Sequence, residues 1–290
     1  MGDLLLRRIL AKLRGSTYGL LNGGKRPGLG IAKILSICFS ISMLLSSSAW
    51  SQDYSNSNPA PENPISDGGK WVNAHIATGS NCYSDVKVDV NHHIIGNQVS
   101  GVDGSNKRVS DGQPAQPCDY NDSLAMLSGS WAPDQCAQST VYIAPTITST
   151  YAEVELFLRA AVSGNTFRGY ELQFSVLSSK PYWHVAPRLG KDFLGFGNSI
   201  ASTKLGRALR DGDVVKGCVI GTTFTISVNG TVIGTGSDST YASGAPGAGF
   251  YHDVVGNTHD GQWGFKNFMG TTNTSNTSPS APSNLTASPK

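Results

Sequence analysis

Tyr151-Ala152-Glu153-Val154-Glu155-Leu156-Phe157-Leu158-Arg159-Ala160 decides the fold class. Ala152, Val154, Leu156, Leu158 and Ala160 alternate with Tyr151, Glu153, Glu155, Phe157 and Arg159. Successive side chains of a strand point to opposite faces, so this is the period of a half-buried strand, one face apolar and the other polar and aromatic. Tyr170-Glu171-Leu172-Gln173-Phe174-Ser175-Val176 repeats the alternation, and Thr223 to Val228 does so again ahead of Asn229-Gly230. Asn-Gly adopts the positive φ angles of a type I′ turn, so Thr231-Val232-Ile233-Gly234 is the expected return strand of a hairpin.

Outward from these segments, further strands are expected at Ser123 to Leu127, Ala137 to Ile143, Tyr182 to Pro187, Val214 to Ile220, Gly247 to Tyr251 and Trp263 to Phe268. Only Ser199 to Leu209 has short-helix character, with a loop as the alternative. Thirty-four glycines and short β-branched runs broken by turn residues point to an all-β sandwich or jelly roll. Residues 52 to 69, polar and proline-rich, have the composition of a linker; residues 70 to 270 form the expected packed domain, and 271 to 290 a Ser/Thr/Pro-rich second linker.

The net charge of +2 is unevenly placed. Arg7, Arg8, Lys12, Arg14, Lys25, Arg26 and Lys33 face the single acid Asp3 in the first 51 residues, which leaves the rest near −4. A chain without a concentrated basic face is not a nucleic-acid binder. The basic leader runs into an apolar stretch, Ile34 to Leu45, and then Ser46-Ser47-Ser48-Ala49-Trp50-Ser51-Gln52, with small Ala49 and Ser51 at −3 and −1. Residues 1 to 51 therefore have the form of a signal peptide cut before Gln52, since a dozen apolar residues fall short of the roughly 20 that a spanning helix needs. A secreted, extracellular or cell-surface domain with no membrane span is the expectation.

Cys38 belongs to the leader, leaving Cys82, Cys118, Cys136 and Cys218, which allow three pairings in an oxidising compartment. Cys218 lies in an apolar strand-like run and has the setting of a buried free thiol. One disulfide is expected among Cys82, Cys118 and Cys136, with Cys118 to Cys136 favoured. No C-x-x-C pair suggests zinc.

The ordered series Ser130 to Val141 (SWAPDQCAQSTV), Arg168-Gly169-Tyr170-Glu171-Leu172, Asp211-Gly212-Asp213-Val214-Val215-Lys216, Val228-Asn229-Gly230, Ser243 to Phe250 (SGAPGAGF) and Trp263-Gly264-Phe265-Lys266-Asn267-Phe268 resembles the concanavalin A-like lectin/glucanase superfamily, in particular laminin G-like modules of bacterial secreted proteins. The resemblance implies a two-sheet antiparallel jelly-roll sandwich whose concave sheet often carries ligand. Fold alone does not set the activity, because this scaffold hosts lectins, glycosidases, lyases and adhesion modules. Cys136 departs from the pattern, standing where related modules carry an aromatic. Ser280 to Ala287 resembles the opening strand of a fibronectin type III domain, with a disordered Ser/Thr/Pro tail as the alternative.

Glu153 and Glu155 lie two apart on one strand face, and retaining glycosidases use carboxyls about 5 to 5.5 Å apart. The glucanases of the resembled superfamily carry Glu-x-Asp-x-x-Glu; here Leu158 takes the third place, so a solvated strand face is expected and no catalytic residue is assigned. Arg159, Gln173, Tyr182 and His184 have the residue types of a lyase site without its Arg-x-Glu-x-Arg or Gln-x-His strings. His92-His93 lacks a third ligand and is expected to be a surface pair. Alternation sends Trp183 away from Tyr182 and His184. Asp119, Asn121, Asp122, Asp253, Asn257 and Asp260 offer oxygen ligands for calcium, with polar turns as the alternative. The expectation is a non-catalytic carbohydrate-binding or adhesion module with an extracellular glycan partner. Its ligand-binding candidates are Tyr151, Glu153, Glu155, Arg159, Tyr182 and His184; a ligand-free spacer or a polysaccharide-active enzyme are the alternatives.

Overall fold

The computed structural model describes residues 52–74, 83–97, 122–148, 151–163, 166–188, 199–252 and 261–272. In chain order its strands are β1 (Asp53–Asn56), β2 (Trp71–Asn73), β3 (Tyr83–Ser84), β4 (Val86–Val88), β5 (Ile94–Gly96), β6 (Asp122–Leu127), β7 (Gln135–Ile143), β8 (Ala152–Ser163), β9 (Thr166–Ser175), β10 (Tyr182–Arg188), β11 (Ala201–Lys204), β12 (Val214–Ile220), β13 (Thr223–Val228), β14 (Thr231–Ser237), β15 (Ala245–His252), β16 (Trp263–Phe265) and β17 (Phe268–Thr272). Among the described residues there is no helix.

Two sheets form a jelly-roll sandwich. One runs β14-β13-β12-β7-β16-β5-β4, with β17 also on β7 and β1 on β17; the other runs β11-β10-β9-β8-β15-β6-β2, with β3 beside β6. Every pairing is antiparallel except β3 with β6. The apolar phase of the deciding segment points inward: Val154, Leu156 and Leu158 are fully buried with Leu172, Phe174, Val215, Val219, Phe224 and Ile226. Gly217 permits the two sheets to meet, since a Cβ there would lie 2.0 Å from Leu172 Cδ2. Asn229 (φ 51°) and Gly230 (φ 77°) form the expected turn between β13 and β14.

Four expectations are corrected. The stretch 52–69 is part of the sandwich: β1 pairs with β17, Ile65 lies in the core, and Tyr54 Oη donates to Asp67 (2.7 Å) while accepting from Trp71 Nε1 (2.9 Å). Within Ser199 to Leu209, β11 extends the sheet beside β10 and Leu209 enters the core. The expected strand Trp263 to Phe268 breaks in two where Asn267 Oδ1 accepts from Thr140 N (2.8 Å) and Asn267 Nδ2 donates to Thr140 Oγ1 (2.9 Å), a side chain replacing the backbone ladder.

The fourth concerns the thiols. Cys136 is bonded to Cys218, not Cys118, and Cys218 is not a free thiol. The two cysteines face each other across β7 and β12, and alternation puts them on the face opposite core residues Ala137, Val215 and Val219. Cross-strand register, which spacing along the chain cannot reveal, makes the pair. Cys82, Cys118, the leader and the tail from residue 273 lie outside the described residues.

Candidate functional site

Register across the eight-stranded sheet brings the polar phases together. Glu155 pairs with Gln173, which pairs with His184; Phe157 pairs with Glu171, which pairs with Ala186; Glu153 pairs with Tyr251, which pairs with Asp122. Directly paired residues project to one face, here the face opposite Val154 and Leu156. Tyr182 and Arg188 share it by alternation along β10.

This polar face is not solvated, which corrects the expectation for Glu153 and Glu155: they are 5% and 0% exposed, and Asp122 and Glu171 are fully buried. Arg188, also buried, is the cation of the group. It donates to Asp122 Oδ2 at 3.0 Å and pairs with the Glu171 carboxylate. Asp122 is therefore a strand residue engaged by an arginine, not a calcium-binding loop residue. The other proposed calcium ligands lie outside the described residues, and among the described ones no group of three His, Cys, Asp or Glu side chains is placed to hold a metal ion.

Four carboxyls around one guanidinium cannot all ionise cheaply in a dry setting. Burial pushes Glu153 and Glu155 well above the usual carboxylate range, with the neighbouring acids adding to it. Asp122 is raised to about 8, burial outweighing the pull of Arg188. The Glu155 carboxyl is fully buried beside Asp122, and the hydrogen bond between the two acids requires one of them to hold a proton. Gly249 makes room for the Glu155 carboxyl: a Cβ there would stand 2.6 Å from Glu155 Oε2 and 2.5 Å from the Phe157 ring.

At the β9-β10-β11 end the polar face opens into a depression of about 320 Å³ lined by Gln173, Tyr182, Trp183, His184, Ser202 and Thr203. Tyr182 Oη donates to Glu153 Oε1, so the buried acid backs the wall of the depression. His184 Nδ1 lies 3.0 Å from Gln173 Oε1, and burial lowers the pKa of this imidazole. Trp183 points to the core, where its indole occupies the space a Gly234 Cβ would need. A second depression of about 400 Å³, near Val72, Met126 and Trp131, has no charged residue in its lining.

The six ligand-binding candidates thus separate. Tyr182 and His184 line the depression, and Glu153 stands behind it. Glu155 is enclosed, and Tyr151 is exposed with the Lys180 ammonium 3.8 Å from its ring centroid. Arg159, expected on the solvated face, is 3% exposed at a bulge with φ 50°. Its guanidinium donates to the carbonyls of Pro133 (2.9 Å), Tyr241 (2.8 Å) and Gly221 (2.6 Å), tying three loops to β8. His92 Nδ1 lies 3.0 Å from the Pro59 carbonyl, and His93 stacks on Tyr142 with ring centroids 3.7 Å apart. Asp122 was singled out from sequence only as a calcium ligand, and Glu171, Arg188, Ser202 and Thr203 not at all; the phase Glu171-x-Gln173-x-Ser175, matching Glu153-x-Glu155, was the available signal.

No family model matches the chain, and no curated protein matches it. Among solved structures it is similar to the carbohydrate-binding module CBM66 of Bacillus subtilis, at 13% identity over 70% of this chain and 92% of that one, TM-score 0.42. It is also similar to the β-glucanase of Bacillus licheniformis, at 9% over 76% and 98%, TM-score 0.49. A third is β-agarase A in complex with oligoagarose, at 10% over 77% and 92%, TM-score 0.47.

Proposed function

We propose that the domain is an exported, non-catalytic carbohydrate-binding module that holds an extracellular glycan at the depression between β9, β10 and β11. The carrying observation is the lining of that depression: the Gln173 amide, the Tyr182 phenol, the His184 imidazole and the Ser202 hydroxyl share one face of the sheet on an open surface. Such groups exchange hydrogen bonds with sugar hydroxyls, and the Tyr182 ring offers an apolar edge. A shallow site of this kind supports dissociation constants of about 10 μM to 1 mM, or about −4 to −7 kcal/mol, with attachment strengthened by avidity where several modules act together.

The non-catalytic part of the reading rests on the carboxyls. A glycosidase needs two of them flanking the scissile bond, whereas Glu155 and Glu171 are fully buried. The raised pKa of Glu153 behind Tyr182 favours a second reading, a polysaccharide-active enzyme with Glu153 as proton donor. Glycan-array screening and calorimetric titration of the exported protein, with and without calcium, test the first reading. Binding that Tyr182→Ala and His184→Ala each weaken about tenfold, without release of reducing sugar, supports it. Reducing-sugar release that Glu153→Gln abolishes would replace it with the second, and no binding to any plant, algal or bacterial polysaccharide at millimolar concentration leaves a spacer.

A further inference from the structure

Gln52 enters the sandwich through three hydrogen bonds. Its backbone N–H donates to Thr272 Oγ1 at 2.9 Å, its carbonyl accepts from Thr272 N at 3.2 Å, and its side-chain Nε2 donates to the Ser128 carbonyl at 3.3 Å. The residue is half-buried and Thr272 is buried. Gly129 leaves space for the end of the side chain, since a Cβ there would lie 2.9 Å from Gln52 Nε2. Removal of the leader before Gln52 would therefore place a new α-amine not on a free tail but at the residue immediately before β1, hydrogen-bonded to Thr272.

We propose that the exported domain carries a pyroglutamyl residue at position 52. The inference rests on cleavage before Gln52 and is independent of glycan binding. An α-amine titrates at about 7.7 to 8.0, so near neutral pH both the ammonium and the free amine are present. The ammonium is the poorly matched form here, because a half-buried charge loses hydration against a hydroxyl that accepts one hydrogen. The free amine attacks the side-chain carbonyl carbon Cδ; the Cδ–Nε2 bond breaks and ammonia leaves with the hydrogen the amine gives up. The step consumes no oxidant or co-reactant. The product is a neutral five-membered lactam whose nitrogen keeps one hydrogen, and the charge of the terminus is gone. The longest of the three hydrogen bonds, to Ser128, is lost, and Gly129 leaves the ring room to turn.

The test uses the full chain, expressed with its leader, and the protein collected promptly after export. Intact-mass and N-terminal peptide analysis should give a chain starting at residue 52 and lighter by one ammonia. Stepwise N-terminal degradation should stall until pyroglutamyl peptidase is added, after which Asp53 is read first. The variant Gln52→Ala should read from the first cycle with no enzyme. An intact Gln52 with a free amine, or a start at any other residue, would overturn the proposal.

Discussion

Glu155 carries a fully buried carboxyl beside other acids, so its proton is what makes it tolerable in the fold. Glu155→Gln keeps the shape and removes the titration. The variant should match the wild type in urea melts at pH 5 and exceed it at pH 9, where the wild type must hold or lose a buried proton; equal stability at both pH values would show that Glu155 is hydrated. Arg188 behaves in the opposite sense, because it is the cation holding Glu171 and Asp122. Arg188→Met should cost about 3 to 5 kcal/mol at pH 8, as expected when a buried pair loses one partner. At pH 5, where Asp122 holds its proton, the cost should be smaller. Sequence alone carried the phase of these side chains but not their fate: period-2 alternation tells which residues share a face and is silent on what covers it. Lys180 over Tyr151 and Tyr182 on Glu153 join segments that only the β9-β10 turn brings together.

The strands themselves were legible wherever short-range chemistry fixes them. The run Val214 to Ile220 is β12 to the residue, and Asn229-Gly230 sets the hairpin because both positions need φ above zero. Gly230→Ala should therefore cost about 1 to 2 kcal/mol by the left-handed penalty of an L-residue, measured by thermal or urea unfolding. Less legible were pairings between distant segments. The edge strand β1 and the β7-β12 disulfide both depend on partners far along the chain, with 82 residues separating Cys136 from Cys218. A closed loop of that length restricts the unfolded chain, so Cys136→Ser with Cys218→Ser should lower stability by about 2 to 4 kcal/mol. Peptide mapping of the native protein without reductant should recover the two cysteines in one linked fragment; alkylation of either before reduction would contradict the pairing.

At the scale of the molecule, two opposed sets of acids fix where the fold is most stable. Asp122 is raised to about 8, and Glu153 and Glu155 are raised with it by burial. Each keeps its proton in the folded state where the unfolded chain has already lost it. Stability from these groups is full below the ordinary carboxylate range, about pH 4, and is lost as pH rises toward 8. Asp213 has the other sign. It accepts from Arg207 Nη1 and Nη2 (2.6 and 2.8 Å), Asn229 Nδ2 (2.8 Å) and Arg210 N (2.8 Å), which hold it down to about 2 against the opposing effect of burial. Its contribution is present above about pH 4 and is lost as pH falls toward 2. Asp211, bonded to Lys266 and the Ile143 amide, is lowered in the same direction. The two sets meet near pH 4 to 5, below the range of about 5 to 8 where most proteins are most stable. Thermal melts from pH 2 to 9 should give a maximum near pH 4 to 5 and a continuous fall from there to pH 8. The alkaline fall should shrink in Glu155→Gln and the acid fall should shrink in Asp213→Asn, though that variant starts from a lower maximum. Were the melting temperature flat or rising between pH 5 and 8, the carboxyls of the polar face would be ionised and solvated, and both the enclosed site and the non-catalytic reading built on it would have to be given up.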